Sequence, residues 1–415
     1  MTTVTVHGLG YIGLPTAAIL ADAGHEVHGF DVDDDKVSAL RNGEVFVDED
    51  DLTELVRGVI EDGSLVVDTE PKAAEVHIVC VPTPLDDETK EANLAFVEAA
   101  GETIADLLRE DDLVILESTV PPTTTTDTLR PILDSSGLTA GEDYDLCFSP
   151  ETVLPGNTIS ELRGNDRIVG GVTRKSAERA KALYETFVES EVATTDDPTV
   201  AEFVKLAQNT YRDTNIALAN ELAKVAHDYD IDAREAIEHA NMHPRVNVHL
   251  PGPGVGGHCL PIDPWFFGHG SDSVDLITHA REVNDSMTGY VRGLLEDELG
   301  SLDDKTVAVF GLAYKGGVAD TRESPGLSFV QELQAETGAT VQVHDPFVDD
   351  TVFDVLDEDA ALSDADALVV TTDHPQFADL SPESVRSRMA GSVVIDTKAI
   401  LDPETWRSET TFVRL

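Results

Sequence analysis

The sequence predicts an α/β protein in which two Rossmann-like, doubly wound domains are joined by a long central helix and a helical middle segment. Two observations predict this fold. A strand, a glycine-rich turn, a helix and a second strand that ends in aspartate occur twice, at residues 3–31 and 305–345. Between them, residues 199–228 contain neither glycine nor proline and mix apolar with polar positions. The repeated βαβ unit predicts parallel sheets, and the uninterrupted stretch predicts a long helix.

The similarity between the two copies extends past the first βαβ unit. Two further strand segments are repeated, VHIVCVPTP as ALVVTTDHP and LVILESTVP as SVVIDTKAI, at residues 76–84, 367–375, 113–121 and 392–400. A chain of 415 residues is long enough for two or three domains. We therefore expect a first Rossmann domain at 1–197, a central helical segment at 198–300 and a second Rossmann-like domain at 301–415.

The charge of the chain excludes whole classes of partner. It has 28 Lys and Arg against 80 Asp and Glu, a formal net charge of −52 at pH 7. Such a surface repels phosphate backbones and anionic lipid headgroups, so we expect no nucleic-acid and no membrane partner. With 41% hydrophobic residues, the chain still folds. Scarce lysine beside abundant acid is typical of proteins that work in concentrated salt; the alternative is an ordinary acidic protein.

Cysteine usage and the N-terminal sequence favour a cytoplasmic location. The chain has three cysteines, none of them in a CxxC pair, which excludes a disulfide scaffold and fits a reducing compartment. The first basic residue is Lys36, so we expect no secretory signal peptide. The longest uncharged stretch, 246–262, is interrupted by prolines and glycines, so we expect no transmembrane helix.

The glycine-rich turn of the first copy predicts a dinucleotide site. Gly8-Leu9-Gly10-Tyr11-Ile12-Gly13 follows a strand and opens a helix, where backbone N–H groups can approach a pyrophosphate. Asp31, at the end of the next strand, is placed to accept hydrogen bonds from the adenosine ribose. The three aspartates at 33–35 would repel a 2′-phosphate. The expected cofactor is NAD rather than NADP.

The second copy has lost this turn and gained an insertion. It has Gly311-Leu312-Ala313-Tyr314-Lys315-Gly316, and its final aspartate comes eleven residues later than in the first copy. We therefore expect it to bind a ligand other than a dinucleotide. Lys315 and Arg322 in the insertion could hold an anion. The alternative is that both are paired with Asp320 and Glu323 in a solvated loop.

One of the three cysteines lies in a segment suited to chemistry. Cys80 and Cys147 belong to apolar strands and are predicted to be core residues. Cys259 lies in GGHCLPID, where glycines leave room for a substrate to approach the thiol. Asp263 follows four residues later and could assist proton transfer if the segment turns. A zinc site is the competing hypothesis, but no second Cys or His pair stands at ligand spacing, so we expect no metal.

The long helix offers polar partners for this thiol. Lys205, Asn209 and Arg212 share one face, followed by an apolar pattern at Leu218, Leu222 and Val225. A solvated face is the alternative explanation for the polar residues. In a chain with only ten lysines, however, a lysine beside Asn and Arg on this helix favours a functional role.

A cysteine together with NAD predicts a two-step oxidation. Hydride removal from an alcohol gives an aldehyde, to which a thiolate adds to form a thiohemiacetal. A second hydride removal gives a thioester, which water hydrolyses to the acid. Lys205 or a bound water could stabilise the developing oxyanion. A simple alcohol dehydrogenase would not need the cysteine.

The motifs together resemble one known family across nearly the whole chain. GLGYIGLPTA, VPTP, ESTV, SPE, the helix with Lys205 and Asn209, GPGVGGHCLPIDP and GLAYK followed by DTRESP occur in the order typical of the UDP-glucose/GDP-mannose dehydrogenase family. The resemblance implies oxidation of the C6 alcohol of a nucleotide sugar to a carboxylate with two NAD per turnover. It also implies that 1–197 binds NAD, that 198–300 carries dimerisation and catalytic residues, and that 301–415 binds the UDP-sugar.

The resemblance also implies roles for individual residues. Cys259 would be the nucleophile, with Lys205 and Asp263 in acid/base and oxyanion steps. The residues that would position the reacting C6 and its water are Asn209, Thr119 and Glu151. The residues expected at the cofactor are Gly8, Gly10, Tyr11, Ile12, Gly13, Asp31, Thr83 and Thr119. Those expected at the substrate are Glu151, Thr152, Val153, Lys205, Asn209, Arg212, His243, Arg245, His258, Tyr314, Lys315 and Arg322.

The resemblance also extends to assembly and to the substrate. Arg245 looks like the arginine that reaches the substrate of a neighbouring subunit, which implies a homodimer built on the long helix. GGHCLPIDP and GLGYIGLPTA look like the branch that acts on UDP-N-acetylhexosamines, especially UDP-N-acetylmannosamine. Thr152 departs from that branch, which commonly has arginine after SPE.

Other functions were weighed against this assignment, both within the family and outside it. UDP-glucose and UDP-N-acetylglucosamine 6-dehydrogenases are the alternatives within the family. A short-chain epimerase would need Tyr-xxx-Lys, and no tyrosine of this chain has lysine four residues later. A nucleotide-sugar sensor that has lost catalysis is the non-enzymatic alternative, and the joint presence of Cys259, Lys205 and Asp263 argues against it.

Overall fold

The computed structural model describes all residues of the chain except 48, 87, 152, 154, 155, 350 and 351. The chain divides into two compact units. The first contains Met1–Gln208 and Trp265–Asp272, and the second contains Asn209–Pro264 and Ser273–Leu415. Among the described helices, none combines the length and the apolar character needed to cross a membrane.

The first unit is built on a sheet of eight strands. They are β1 (Thr3–His7), β2 (Glu26–Phe30), β3 (Leu65–Asp68), β4 (Val76–Val79), β5 (Leu113–Leu116), β6 (Asp145–Phe148), β7 (Arg167–Gly171) and β8 (Val192–Thr195). The order across the sheet is β3-β2-β1-β4-β5-β6-β7-β8, with β6 and β7 antiparallel. The strand order reverses at β1 and β4, which is the doubly wound arrangement that the repeat predicts.

Helices pack on this sheet because its strands are apolar on both faces. The strands β4, β5 and β6 are buried at every residue, as expected for strands covered on both sides. The helices are α1 (Gly13–Asp22), α2 (Asp34–Arg41), α3 (Asp50–Glu61), α4 (Ala95–Ala105), a π-helical turn (Thr124–Leu129), α5 (Arg130–Asp134), α6 (Thr158–Gly164) and α7 (Arg174–Tyr184). Their apolar faces and the sheet form the core of the unit.

The long helix predicted between the two copies is confirmed. It is α8 (Pro198–Asp228), which runs through 31 residues. The helices that follow are α9 (Ala233–Asn241), a 3-10 turn (Asp263–His269), α10 (Asp275–Asp285) and α11 (Met287–Leu299). The helical character predicted for the middle segment is therefore confirmed, and the loop that contains Cys259 lies between α9 and α10.

The second copy of the repeat forms a separate sheet. Its strands are β9 (Thr306–Phe310), β10 (Thr340–His344), β11 (Ala367–Val370), β12 (Val393–Asp396) and β13 (Thr411–Arg414), all parallel, in the order β10-β9-β11-β12-β13. The helices are α12 (Pro325–Glu336), α13 (Glu358–Leu362), a 3-10 turn (Pro375–Asp379), α14 (Pro382–Arg388) and α15 (Pro403–Arg407). This is the second common order of doubly wound sheets.

The two copies share a hydrogen bond as well as a fold. The Leu9 N–H donates to Asp31 Oδ2 at 2.8 Å, and the Leu312 N–H donates to Asp345 Oδ2 at 2.7 Å. In each copy the residue after the first glycine is thereby tied to the aspartate that ends the second strand. The structure therefore confirms that residues 3–31 and 305–345 are two forms of one unit.

Candidate active site

The turn between β1 and α1 has the shape that a pyrophosphate requires. A Cβ atom at Gly8, where φ is +93°, would lie 2.5 Å from the carbonyl oxygen of Cys80, and one at Gly13 would lie 1.9 Å from that of Gly8. Both positions therefore require glycine. Among the residues that the structure describes, a Cβ atom at Gly10 would meet no heavy atom within 4 Å, and no side chain caps the N-terminus of α1. Backbone N–H groups are thus left available for an anion, which fits NAD.

Asp31 stands where the ribose of NAD would be recognised. Its Oδ2 accepts hydrogen bonds from the Leu9 N–H and from Lys36 Nζ, each at 2.8 Å, and its Oδ1 accepts from the Asp33 N–H at 3.0 Å. The carboxylate is buried, and these donors fix its direction. Lys36 was missed at the sequence level, because only the start of α2 brings it back to Asp31.

Other predicted cofactor residues lie at the ends of neighbouring strands. The Thr83 hydroxyl, after β4, donates to the carbonyl oxygen of Thr119, after β5, at 2.6 Å. The exposed ring of Tyr11 meets the edge of Phe46 with ring centroids 6.1 Å apart. Phe46 was also missed at the sequence level. Carboxyl ends of parallel strands meet at one edge of a sheet, so this is where a doubly wound fold binds its ligand.

Donors within the first unit hold both carboxylate oxygens of Glu151. Its Oε1 accepts from the Val153 N–H at 2.8 Å, and its Oε2 accepts from Arg167 Nη2 at 2.7 Å. The side chain is 6% exposed. Lys205, on α8, is also buried. Thr152, the departure from the family pattern, lies outside the described residues.

The segment around Cys259 turns as the sequence analysis required. The N–H groups of Ile262 and Asp263 donate to the carbonyl oxygen of Cys259 at 3.1 and 2.8 Å, which closes one turn. Asn209 Nδ2 on α8 donates to Asp263 Oδ2 at 2.6 Å, and both side chains are buried. The Cys259 side chain is exposed. An accessible thiol close to a fixed carboxylate is suited to nucleophilic chemistry.

The glycines before Cys259 also leave space for the insertion of the second copy. A Cβ atom at Gly256 would lie 2.6 Å from the Glu323 carbonyl oxygen and 2.7 Å from Tyr314 Cβ, and one at Gly257 would lie 3.0 Å from the Tyr314 ring. The Gly257 N–H also donates to the carbonyl oxygen of Arg322 at 3.0 Å. The insertion in the second copy therefore packs directly on the cysteine loop and comes close to both glycines.

This packing brings several predicted substrate residues together in the second unit. Nearby Arg322 and partial desolvation lower the pKa of His258, desolvation having the larger effect. Burial, and then Asp320, raise the pKa of Tyr314, so its phenol stays protonated at neutral pH. Lys315, in the same insertion, is exposed.

The ion pairing of the insertion agrees in part with the alternative considered at the sequence level. Arg322 forms an ion pair with Asp320, with Nη2 2.5 Å from Oδ2. Lys315 makes no ion pair with any residue that the structure describes. Arg322 is thus pre-oriented by its own loop, while Lys315 keeps its charge available for an anion.

Asparagines of α8 fix the loop that leads to Cys259. Asn215 accepts from the His249 N–H at 2.7 Å and donates to the Asn247 carbonyl at 3.0 Å. Asn220 accepts from the Gly252 N–H at 2.9 Å. These two asparagines were missed by the sequence analysis, although both lie in the helix that it identified. An amide can donate and accept at once, which suits it to holding an irregular backbone.

The remaining predicted substrate residues lie at exposed positions on α8 and after α9. Arg212 is exposed on α8. His243 and Arg245 are exposed after α9, with the Arg245 N–H donating to His243 Nδ1 at 3.3 Å.

Three family models match the chain in sequence order. They are the NAD binding domain of the UDP-glucose/GDP-mannose dehydrogenase family at residues 2–188, its central domain at 199–286 and its UDP binding domain at 308–403. This chain belongs to that family. It is therefore an NAD-dependent oxidoreductase of the nucleotide-sugar dehydrogenase type, and the resemblance inferred from the motifs is confirmed.

Relatives within the UDP-glucose/GDP-mannose dehydrogenase family match nearly the full length. A UDP-N-acetyl-D-mannosamine dehydrogenase of Methanococcus aeolicus is 42% identical over 99% of this chain and 94% of its own. An NDP-N-acetyl-D-galactosaminuronic acid dehydrogenase of Ralstonia nicotianae is 42% identical over 96% of both chains. The structure of the UDP-D-ManNAc dehydrogenase of Pyrococcus horikoshii matches with a TM-score of 0.92 at 38% identity, over 99% of this chain and 98% of that one.

Proposed function

We propose that this enzyme oxidises the C6 hydroxyl of UDP-N-acetylmannosamine to the uronate, with two NAD consumed per sugar. The observation that carries the proposal is the accessible Cys259 on a turn closed by Asp263, whose carboxylate is fixed by Asn209. A nucleophile is needed only if the aldehyde is oxidised further to an acid. Similarity to UDP-N-acetyl-D-mannosamine dehydrogenases supports the choice of sugar.

A second candidate substrate is a nucleotide-linked N-acetylgalactosamine derivative. The relative from Ralstonia nicotianae named for such a sugar is as similar in sequence as the one from Methanococcus aeolicus. Both candidates carry an N-acetyl group at C2, so the two differ only in ring stereochemistry. UDP-glucose, which lacks the acetamido group, is the less favoured alternative.

In the proposed mechanism, the cysteine loop supplies the nucleophile. The turn at Gly8–Gly13 and Asp31 would hold NAD, which when bound would supply the hydride acceptor for the two oxidation steps. Lys205 takes the proton of the C6 hydroxyl, and the Cys259 thiolate adds to the resulting aldehyde to give a thiohemiacetal. After the second oxidation the product is a thioester on Cys259. Asp263, fixed by Asn209, assists these proton transfers.

Hydrolysis of the thioester requires a directed water. Glu151, with both oxygens held by donors, is the proposed group that orients this water together with Thr119. Water attack forms the acid and releases the Cys259 thiolate. Each cycle thus converts one alcohol, one water and two NAD⁺ to one carboxylate, two NADH and three protons. The test is the count of NADH formed per sugar consumed.

We also propose that the enzyme is a homodimer formed through α8. Five large side chains of this helix share a face within an arc of about 60° at 3.6 residues per turn. They are 37–76% exposed and are Tyr211, Leu218, Leu222, Val225 and Tyr229. An apolar stripe of this size on a chain with a net charge of −52 is costly to leave in water, and a second copy offers the matching stripe.

Leu222→Glu is expected to convert the dimer to a monomer. Each interface would bury two unpaired carboxylates, and one such charge costs about 3–5 kcal/mol, which weakens association at least about 100-fold. The measurement is the molar mass by light scattering over a range of protein concentrations. Leu276→Glu, at a 72% exposed leucine of α10 outside the stripe, is the control and should leave the mass unchanged. A dimeric Leu222→Glu protein would refute the interface.

We propose that the enzyme works in the cytoplasm of a cell with a high salt concentration, on the basis of its net charge and its cysteines. The excess of 80 acidic over 28 basic residues repels both anionic ligands, and the three cysteines, all within the described part of the chain, form no disulfide. Because salt screens this repulsion, the KM for the nucleotide sugar is expected to fall as KCl rises from 0.05 M to about 2 M. Initial rates measured at each salt concentration test this. A KM that stays flat or rises would remove the salt adaptation and leave the chemistry intact.

A further inference from the structure

An ion-pair network lies beneath Glu151 in the first unit. Arg167 projects from β7, and its side chain is 6% exposed. Its Nη2 donates to Glu151 Oε2 at 2.7 Å, and its Nη1 donates to Glu117 Oε1 at 3.0 Å and to the Ser149 hydroxyl at 3.3 Å. One guanidinium therefore bridges a glutamate at the end of β5 and the glutamate that follows β6.

Glu117 is the fixed end of this bridge. Its side chain is fully buried. Its Oε1 also accepts from the Tyr184 hydroxyl at 2.6 Å, and its Oε2 accepts from the Thr16 hydroxyl and the Cys80 thiol, each at 3.3 Å. Burial, and then Glu117, raise the pKa of both Tyr184 and Cys80, so both remain protonated and able to donate. Glu117 is thus held by donors from α1, β7, the end of β4 and α7.

The aromatic ring of Tyr184 also restrains the Arg167 side chain. Its guanidinium carbon lies 4.4 Å from the centroid of the Tyr184 ring, a stacking contact. With two carboxylates on one guanidinium, the group retains a net negative charge in a buried setting. Buried ion pairs of this kind are weak evidence for stability, because the loss of hydration offsets the attraction. Such pairs contribute mainly to orientation, because the planar guanidinium group fixes the direction of the carboxylates with which it pairs.

We propose that Arg167 and Glu117 are positioning residues that hold the Glu151 carboxylate in the direction required by the reaction. The proposal rests on the proposed function, in which Glu151 orients the water that hydrolyses the thioester. Thr16, in the first turn of α1, donates to Glu117. The network therefore also connects Glu151 to the helix that follows the dinucleotide turn. Without Arg167, Glu151 Oε2 would lose the charged donor that lies 2.7 Å from it, while the Val153 N–H would still donate to Oε1.

The test is a double-mutant cycle of Arg167→Gln and Glu151→Gln. Misplacement of a catalytic group by about 1 Å costs on the order of 10²-fold in rate. Arg167→Gln is therefore expected to lower kcat roughly 10- to 100-fold, with the Kd for NAD changed less than about twofold. Because both changes act on one group, the double variant should be no slower than Glu151→Gln alone. Losses that multiply in the double variant would overturn the proposal, as would a wild-type kcat in Arg167→Gln.

Two further variants separate positioning from folding. Arg179→Gln removes an arginine that pairs with Asp145 at 2.7 Å in the same unit without contacting Glu151, and it should retain the wild-type kcat. Arg167→Lys keeps the charge but not the fork, so its kcat should lie between those of Arg167→Gln and the wild type. If Arg167→Gln does not fold, an Arg167→Lys kcat equal to the wild-type value would overturn the proposal.

The outcome also distinguishes the positioning proposal from the proposed function. If the wild-type enzyme forms no NADH with any nucleotide sugar, the proposed function is wrong. If the wild type forms two NADH per sugar but Arg167→Gln is as fast, only the positioning proposal is wrong.

Discussion

Cys259→Ser is expected to abolish formation of the uronate while leaving NAD binding intact. The thiolate is the nucleophile that converts the aldehyde into an oxidisable adduct, and a serine hydroxyl at this place would have to be deprotonated at a far higher pKa. The loss in kcat should be on the order of 10³-fold or more. Because Cys259 is exposed and the replacement differs by one atom, the fold should be unaffected. Uronate is measured by mass spectrometry and NAD binding by titration calorimetry.

Cys147→Ser is the matched control for this prediction. Cys147 is completely buried in β6, and burial raises the pKa of its thiol well above the ordinary value, so it stays protonated and unreactive. The serine hydroxyl would be buried in an apolar strand and should lower stability by about 1–3 kcal/mol. The turnover per folded molecule should stay at the wild-type value. Uronate formation by Cys259→Ser at the wild-type rate would refute the covalent mechanism.

Gly256→Ala is expected to give the second large loss of catalytic activity. The added methyl group would lie 2.6 Å from the Glu323 carbonyl oxygen, 2.7 Å from Tyr314 Cβ and 2.9 Å from Pro325 Cδ. These atoms belong to backbone or to its immediate attachments, so the cysteine loop must move away from the insertion. A shift of about 1 Å three residues before the nucleophile should lower kcat/KM on the order of 10²-fold, and the strain should cost about 1–3 kcal/mol of stability.

Gly252→Ala is the control in the same loop. A Cβ atom at Gly252 would meet no heavy atom within 4 Å, and the N–H that donates to Asn220 is retained. Its kcat/KM should stay within about twofold of the wild-type value, and its stability should be equal or higher by a few tenths of a kcal/mol. Equal activity of Gly256→Ala and Gly252→Ala would show that the contact with the insertion does not position the cysteine.

The fold could be predicted from the sequence because its features are local and repeated. The strand, turn and helix around Gly8 follow from apolar spacing and glycine, and the same pattern returns at Gly311. The length of α8 follows from the absence of glycine and proline in 199–228. The strand order was not predicted, because it depends on which strands pair, and the apolar sequences of the strands are too similar to indicate their partners.

Site residues could be predicted only where the residue type and a short spacing in sequence indicate their chemistry. Cys259 and Asp263 stand four residues apart, so one turn was enough to expect them together. Arg167 lies in an ordinary strand far in sequence from Glu117, and only the pairing of distant elements brings them into contact. The contact of Gly256 with the insertion was not predicted, because the atoms that a Cβ would meet belong to residues more than 50 positions later.

The most direct test of the account is the ratio of NADH formed to sugar consumed. The purified enzyme is incubated with limiting UDP-N-acetylmannosamine, UDP-N-acetylglucosamine, UDP-glucose or GDP-mannose and excess NAD, and NADH is followed by absorbance until the reaction ends. The account predicts two NADH per UDP-N-acetylmannosamine, with the highest kcat/KM for that sugar. One NADH per sugar, with aldehyde as the product, or no NADH from any nucleotide sugar, would contradict it.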